Sequence, residues 1–187
     1  VVADVPSKGN ENGIFGYGGT GPVSLTNLVS SSGVVATDVT GVGTARERLA
    51  ATEYGGDKGI FGYGKSGSNL SMTNLVSNAG VVATDVTGVG SARSLLGACG
   101  YGGDKGIFGY GNTGSYSSLT NLVSNAGVVA TDTTGVGTAR SSICACEYGD
   151  DKGIFGFGSA EVGNITNLVS NVGVVATDVS GVGTARG

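Results

Sequence analysis

Gly59-Ile60-Phe61-Gly62-Tyr63-Gly64 decides the fold, because the chain writes it four times. The same six residues start at Gly13 and Gly106, and Gly153 opens a fourth copy with Phe157 in place of the tyrosine, so successive starts lie 46, 47 and 47 residues apart. The surroundings keep a constant order. Thr-Asn-Leu-Val follows at Thr26, Thr73, Thr120 and Thr166, then Gly-Val-Val-Ala-Thr-Asp at Gly33, Gly80, Gly127 and Gly173. A period of this size built from short strand-like runs marks a propeller or an array, whose units are too small to bury a core alone and share one with their neighbours. The 187 residues therefore read as a single repeat domain, 1–187, with units at about 1–46, 47–93, 94–140 and 141–187.

The second unit shows the expected strands. Residues 48–54 suit a strand, Gly55-Gly56-Asp57-Lys58 is a turn cluster, and residues 59–64 make a second strand with Phe61 and Tyr63 on one face. Residues 70–77 and 81–86 form a second hairpin around Asn78-Ala79-Gly80, and Gly88-Val89-Gly90 leads into the next unit. Helix is disfavoured: Val81, Val82, Thr84, Val86 and Thr87 are β-branched, and glycine interrupts every window of about a dozen residues. The Val-Val and Leu-Val pairs are apolar on both faces, which suits sheets packed on each side. The predicted fold is all-β, a four-bladed β-propeller of four-stranded antiparallel blades. In it Val1-Val2-Ala3-Asp4-Val5 supplies the strand missing from the first unit, so that the ring closes and no edge is left exposed. The alternative is a fragment of a larger ring of near-identical repeats with a purely structural role. Phe15, Phe61, Phe108 and Phe155 recur at one strand position and are expected between blades.

Composition narrows the function classes. Hydrophobic content of 39% excludes a disordered chain, and 38 glycines without a three-residue period exclude collagen. A net charge of −4 opposes the phosphate neutralisation on which nucleic-acid binding rests, so no nucleic-acid partner is expected. No apolar run approaches the roughly 18 residues that span a bilayer, so no membrane insertion is expected. Histidine is absent, which removes the usual general base near neutral pH and the commonest metal ligand. Catalysis needs different residues in different roles at one place, whereas here the same residues are copied in every unit, so neither an enzyme nor a cofactor is expected. Of the three cysteines, Cys144 and Cys146 are two apart in a strand-like run, a poor geometry for a bridge. Cys99 and Cys146 occupy equivalent positions and read as small buried side chains.

Asp38, Asp85, Asp132 and Asp178 recur with Arg46, Arg93, Arg140 and Arg186, one of each per unit. They read as an interblade ion-pair and hydrogen-bond network that fixes register, against the alternative of an ion-holding ring around a channel. Asp57-Lys58, Asp104-Lys105 and Asp151-Lys152 sit in glycine turns and lack the closely spaced oxygen ligands of a calcium loop, so no metal is expected. Variation concentrates at residues 19–24, 65–71, 112–118 and 159–164. Loops on one rim of a rigid scaffold are where recognition is usually placed, which makes Lys65, Ser66, Asn69, Asn112, Thr113, Tyr116, Ala160 and Glu161 the binding candidates. Asn69 and Asn164 also fit the glycosylation pattern, which matters only for a secreted eukaryotic protein.

The order Arg-x-x-Leu, Tyr-Gly-Gly-Asp-Lys-Gly-Ile-Phe-Gly-Tyr-Gly, variable loop, Asn-Leu-Val-Ser, turn, Val-Val-Ala-Thr-Asp resembles a kelch-type propeller repeat. The family's Gly-Gly doublet is replaced by Gly62-Tyr63-Gly64, and its spaced Tyr and Trp by aliphatics such as Leu75 and Val81. The wording is also similar to repeat arrays in uncharacterised structural proteins of marine phages and large algal viruses. These resemblances imply a non-enzymatic structural or adhesion module of a virion or extracellular assembly. Its expected partners are a protein or glycan surface, with self-assembly among the options. The alternative is a multivalent carbohydrate-binding lectin, whose equivalent pockets would gain avidity from repetition.

Overall fold

The last three Gly-Ile-Phe-Gly runs each become the central strand of an antiparallel sheet, and the first becomes one strand of a pair. The computed structural model describes residues 10–159, 163–181 and 183–185. In chain order the strands are β1 (Gly13–Gly18), β2 (Val23–Val29), β3 (Ala50–Tyr54), β4 (Lys58–Gly62), β5 (Lys65–Ser66), β6 (Ser68–Asn69), β7 (Thr73–Val76), β8 (Gly97–Tyr101), β9 (Lys105–Gly109), β10 (Thr120–Val123), β11 (Cys144–Tyr148), β12 (Lys152–Gly156) and β13 (Thr166–Val169). They form sheets β1-β2, β3-β4-β7, β8-β9-β10 and β11-β12-β13, with β5-β6 a small separate hairpin. The protein is all-β among its described residues, and no helix is long and apolar enough to cross a membrane.

The register repeats from sheet to sheet: Phe61 lies opposite Ala51 and Asn74, Phe108 opposite Ala98 and Asn121, Phe155 opposite Ala145 and Asn167. The β3–β4 hairpin turns through Gly55 and Gly56 at φ 63° and 75°, left-handed values that glycine adopts without steric cost. The central strand stops earlier than predicted. Tyr63 takes φ 63°, as do Tyr17, Tyr110 and Phe157 within two degrees, and this swings the ring out of the pleat. A non-glycine residue in this region costs about 1–2 kcal/mol, and the contacts of the ring offset that cost.

Four full strands per unit are not formed. The segment carrying Val82 and Val86 meets β7 at two isolated bridges, Val76 to Val82 and Thr73 to Val86, whose registers differ by one residue. One residue is thus extra between them, as in a β-bulge. Asn74 fills the irregularity by donating to the Ala83 carbonyl at 3.0 Å and to Asp85 at 2.9 Å. Among the described residues the sheets therefore have three strands, and the first has two. The Val-Val pairs of the last three units are also split: Val82 is buried and Val129 and Val175 half-buried, whereas Val81, Val128 and Val174, like Val34 of the first unit, are each more than 60% exposed.

Neighbouring sheets pack in chain order, β3 against β8 and β8 against β11. At each junction the phenylalanine of the later unit covers a glycine of the earlier one. Phe61 lies over Gly16, Phe108 over Gly62 and Phe155 over Gly109, so close that a Cβ on the glycine would fall 2.6–2.8 Å from the ring tip. The same rings meet Tyr17, Tyr63 and Tyr110 edge-on with centroids 5.2 Å apart. Backbone ladders run along the stack, from Ser142 N to Leu95 O at 2.8 Å and from Leu95 N to Arg48 O at 2.9 Å. Closure into a ring would bury Phe15 against the fourth unit. Instead Phe15 is 65% exposed, so the described residues form an open stack and not a closed four-bladed propeller. Residues 1–5, to which the closing strand is assigned by sequence, lie outside the described residues.

Candidate functional site

The charged residues that recur once per unit converge on the junctions. Asp85 accepts hydrogen bonds from Thr44 N at 2.9 Å, Thr44 Oγ1 at 2.7 Å and Asn74 Nδ2 at 2.9 Å, with Arg46 Nη1 at 3.9 Å. Asp132 repeats this with Ser91, Asn121 and Arg93, and Asp178 with Thr138, Asn167 and Arg140. Each arginine is fully buried, its guanidinium 4.2–4.3 Å above the ring of Tyr17, Tyr63 or Tyr110. The arginine thus faces an aromatic plane and supports the carboxylate from a distance, while the direct donors are hydroxyl and amide groups. Asp38 lies in the first unit, exposed, and accepts from Asn27 at 2.8 Å. Arg186 falls outside the described residues.

Electrostatics follow from this geometry. Burial alone would raise the Asp85, Asp132 and Asp178 carboxyls, but the hydroxyl, amide and backbone donors with the arginine charge outweigh it and hold them below the usual carboxylate range. Burial pushes the Tyr63 and Tyr110 phenols up to about 12, against the lowering pull of Arg93 and Arg140. The first junction is less complete than the others. Arg140 Nη2 donates to Asn167 Oδ1 at 2.6 Å and Arg93 Nη2 pairs with Asn121 Oδ1, whereas the equivalent atoms Arg46 Nη2 and Asn74 Oδ1 have no hydrogen-bond partner among the described residues.

The variable loops lie beside this framework. Lys65 pairs with Glu47 through both backbone hydrogen bonds, at 2.8 and 2.9 Å, and Ser66 is half-buried in the β5–β6 hairpin. Asn69 donates to the Asn112 carbonyl at 2.8 Å, joining the loops of the second and third units, and Asn112 Oδ1 accepts from Gly114 N at 2.8 Å. Two of the predicted rim residues are free to meet a partner: Thr113 is exposed, and Tyr116 is 50% exposed. Ala160 and Glu161 lie outside the described residues. The two glycosylation-pattern asparagines are both engaged, Asn69 as above and Asn164 with the Gly183 carbonyl at 3.4 Å.

Two concave features adjoin these elements. A groove of about 590 Å³ separates the first two sheets, lined by Asn12, Ile14 and Leu28 on one side and Thr52, Glu53 and Ile60 on the other. At the later junctions the corresponding space holds β3 against β8 and β8 against β11. A second groove of about 360 Å³ lies at the foot of the second unit's variable loop, between Asn69–Met72 and Asp85–Gly88. Among the described residues no three carboxylate or cysteine side chains converge. Cys99 is buried, with its thiol pushed up to about 12 by burial, whereas Cys146, predicted to be buried like it, is exposed along with Cys144, and all three are free thiols.

Sequence reasoning singled out the aspartates and arginines and missed their main partners, Thr44, Ser91, Thr138 and the buried asparagines. The signal was there, in Thr/Ser-Ala-Arg before each unit boundary and in Thr-Asn-Leu-Val. The exposed valine row at 34, 81, 128 and 174 was missed as well, because a search for variation passes over residues that never vary. Comparison with protein-family models and with curated proteins finds no match to this chain.

Proposed function

We propose that this chain is a non-enzymatic structural and adhesion module of a virion or extracellular assembly, a rigid β-stack that carries variable loops for recognising a protein or another surface. The observation that carries the reading is the threefold repetition of one buried junction, with Arg, Tyr and Thr/Ser from the earlier unit and Phe, Asp and Asn from the later one. Such a junction spends the conserved-by-repetition charges on holding units in register and leaves chemical variety to the loops. The likeness of the repeat to kelch-type units and to viral structural arrays belongs to the same reading; a closed ring of four does not.

Fractionation of the native source tests the location: the chain belongs with particles or the extracellular fraction, and recovery only as free protein from a cytoplasmic extract overturns the reading. Recognition is tested by multivalent display on arrays of glycans and surface proteins. Tyr116→Ala should weaken the bound signal while shifting stability by less than about 0.5 kcal/mol, as for an exposed side chain. Signal confined to glycans would transfer the reading to a lectin, and signal indifferent to Tyr116 and Thr113 would remove the loops from recognition.

A further inference from the structure

The two ends of the stack are the two halves of the junction that the chain already makes three times. On the leading face, Phe15 is 65% exposed where Phe61, Phe108 and Phe155 are buried under 5% exposure. Beside it Gly33 has nothing within 4 Å of its Cβ direction, whereas Gly80, Gly127 and Gly173 are capped by Leu28, Leu75 and Leu122 of the preceding unit, the last two glycines also by Tyr54 and Tyr101. Asp38 is exposed on the same face. On the trailing face stand the matching groups: Leu168 and Tyr148 are each 39% exposed, although Tyr54 and Tyr101 at the equivalent position are buried. Cys146 is exposed where Cys99 lies buried against Gly153, and Thr184 is exposed where Thr44, Ser91 and Thr138 bind the next aspartate.

We infer that the leading face of one copy docks on the trailing face of a second copy, continuing the internal junction from molecule to molecule. Leu168 and Tyr148 of one copy would cap Gly33 of the next, Phe15 would be covered as its three counterparts are, and Asp38 would accept from Thr184. Continuity with the three internal junctions selects this occupant, because the partner types of Gly33 and Asp38 stand exposed on the other face, and Gly156, the counterpart of the glycines under Phe61, Phe108 and Phe155, has only Thr166 Cγ2 within 4 Å of its Cβ direction. The contact is heterologous, so assembly proceeds by head-to-tail addition and not by formation of a twofold dimer. The inference rests on the end faces alone and is independent of what the variable loops recognise.

Sedimentation velocity of the 18.2 kDa chain across low micromolar to millimolar concentration tests it. The weight-average mass should rise with concentration beyond that of a dimer. Phe15→Asp and Leu168→Asp, both at exposed positions and checked for native circular dichroism, should each remain monomeric. Mixed in equal amounts they should form a one-to-one dimer and stop there, since one variant keeps a sound trailing face and the other a sound leading face. A wild-type chain that stays monomeric throughout overturns the inference, as does association that Phe15→Asp abolishes and Leu168→Asp leaves intact, the pattern of a face pairing with itself. Assembly that both variants retain overturns it as well.

Discussion

Phenylalanine to alanine at two equivalent positions of the repeat should have very different costs. Phe108 is fully buried among Tyr54, Ile60, Tyr63, Leu96 and Val123, with its ring over Gly62 and edge-on to Tyr63 at 5.2 Å. Losing the buried ring forfeits about 1.5–3 kcal/mol of transfer free energy. The edge-to-face contact adds about 0.5–1.5 kcal/mol. The glycine beneath offers no side chain to fill the cavity, which places the total at about 4 kcal/mol, within the usual span for such truncations. Phe15 undergoes the same chemical change with 65% of its surface already in water, so only the remaining third of the transfer term is at stake, about 0.5–1 kcal/mol. Urea unfolding at 25 °C followed by circular dichroism, at a dilution where the chain is monomeric, measures both. Equal costs would mean that Phe15 is covered like its counterparts and would refute the open stack. A cost below about 1 kcal/mol for Phe108→Ala would refute the junction packing itself.

The aspartates should divide in the same way. Asp132→Ala strands Ser91 N–H and the buried Arg93 and should cost about 2–3 kcal/mol in thermal or urea melts, whereas Asp38→Ala should cost under about 0.5 kcal/mol. Gly88→Ala should destabilise by about 2 kcal/mol or more in the same melts, because its Cβ would lie 2.1–2.5 Å from Ser71 atoms, two of them backbone. Stability should fall at both pH extremes. Asp85, Asp132 and Asp178 are held below their ordinary values when folded, so their contribution is present above the unfolded value near 3.8 and is lost as pH falls through the lower folded values. Tyr63 and Tyr110 are raised from 10.0 to about 12, so their contribution is present below pH 10 and is lost as pH rises toward 12; ultraviolet titration of the phenols should show this late step.

Much of the fold was legible because the repeat is loud. Glycine and β-branched residues exclude helix, and the four copies of Gly-Ile-Phe-Gly place the central strands almost to the residue. The fourth strand was overcalled because Val81-Val82 looks apolar on both faces, while the backbone breaks register by one residue to bring Asp85 to the junction with the preceding unit. Closure was expected because a cyclic and a linear stack of identical units have the same repeat; they differ only at the ends, where the described residues show no closed ring and Phe15 carries the same side chain as Phe61 in a different environment. The left-handed conformation of Tyr63 was invisible for a similar reason: an aromatic residue before glycine reads as the end of a strand, and only the ring wedged between Arg93 and Phe108 explains the turn. The loop residues were found by their variation, but Asn69 and Asn112 vary while binding each other's loop, so variability did not separate a free side chain from one already engaged.

Fluorine NMR of the chain labelled with 4-fluorophenylalanine, read against a soluble paramagnetic relaxation agent at a monomeric dilution, measures the exposure of each repeat phenylalanine separately. The open stack of identical junctions predicts strong broadening for Phe15 and protection for Phe61, Phe108 and Phe155, assigned by single Phe→Leu substitutions. Equal protection of all four would contradict it and restore a closed ring.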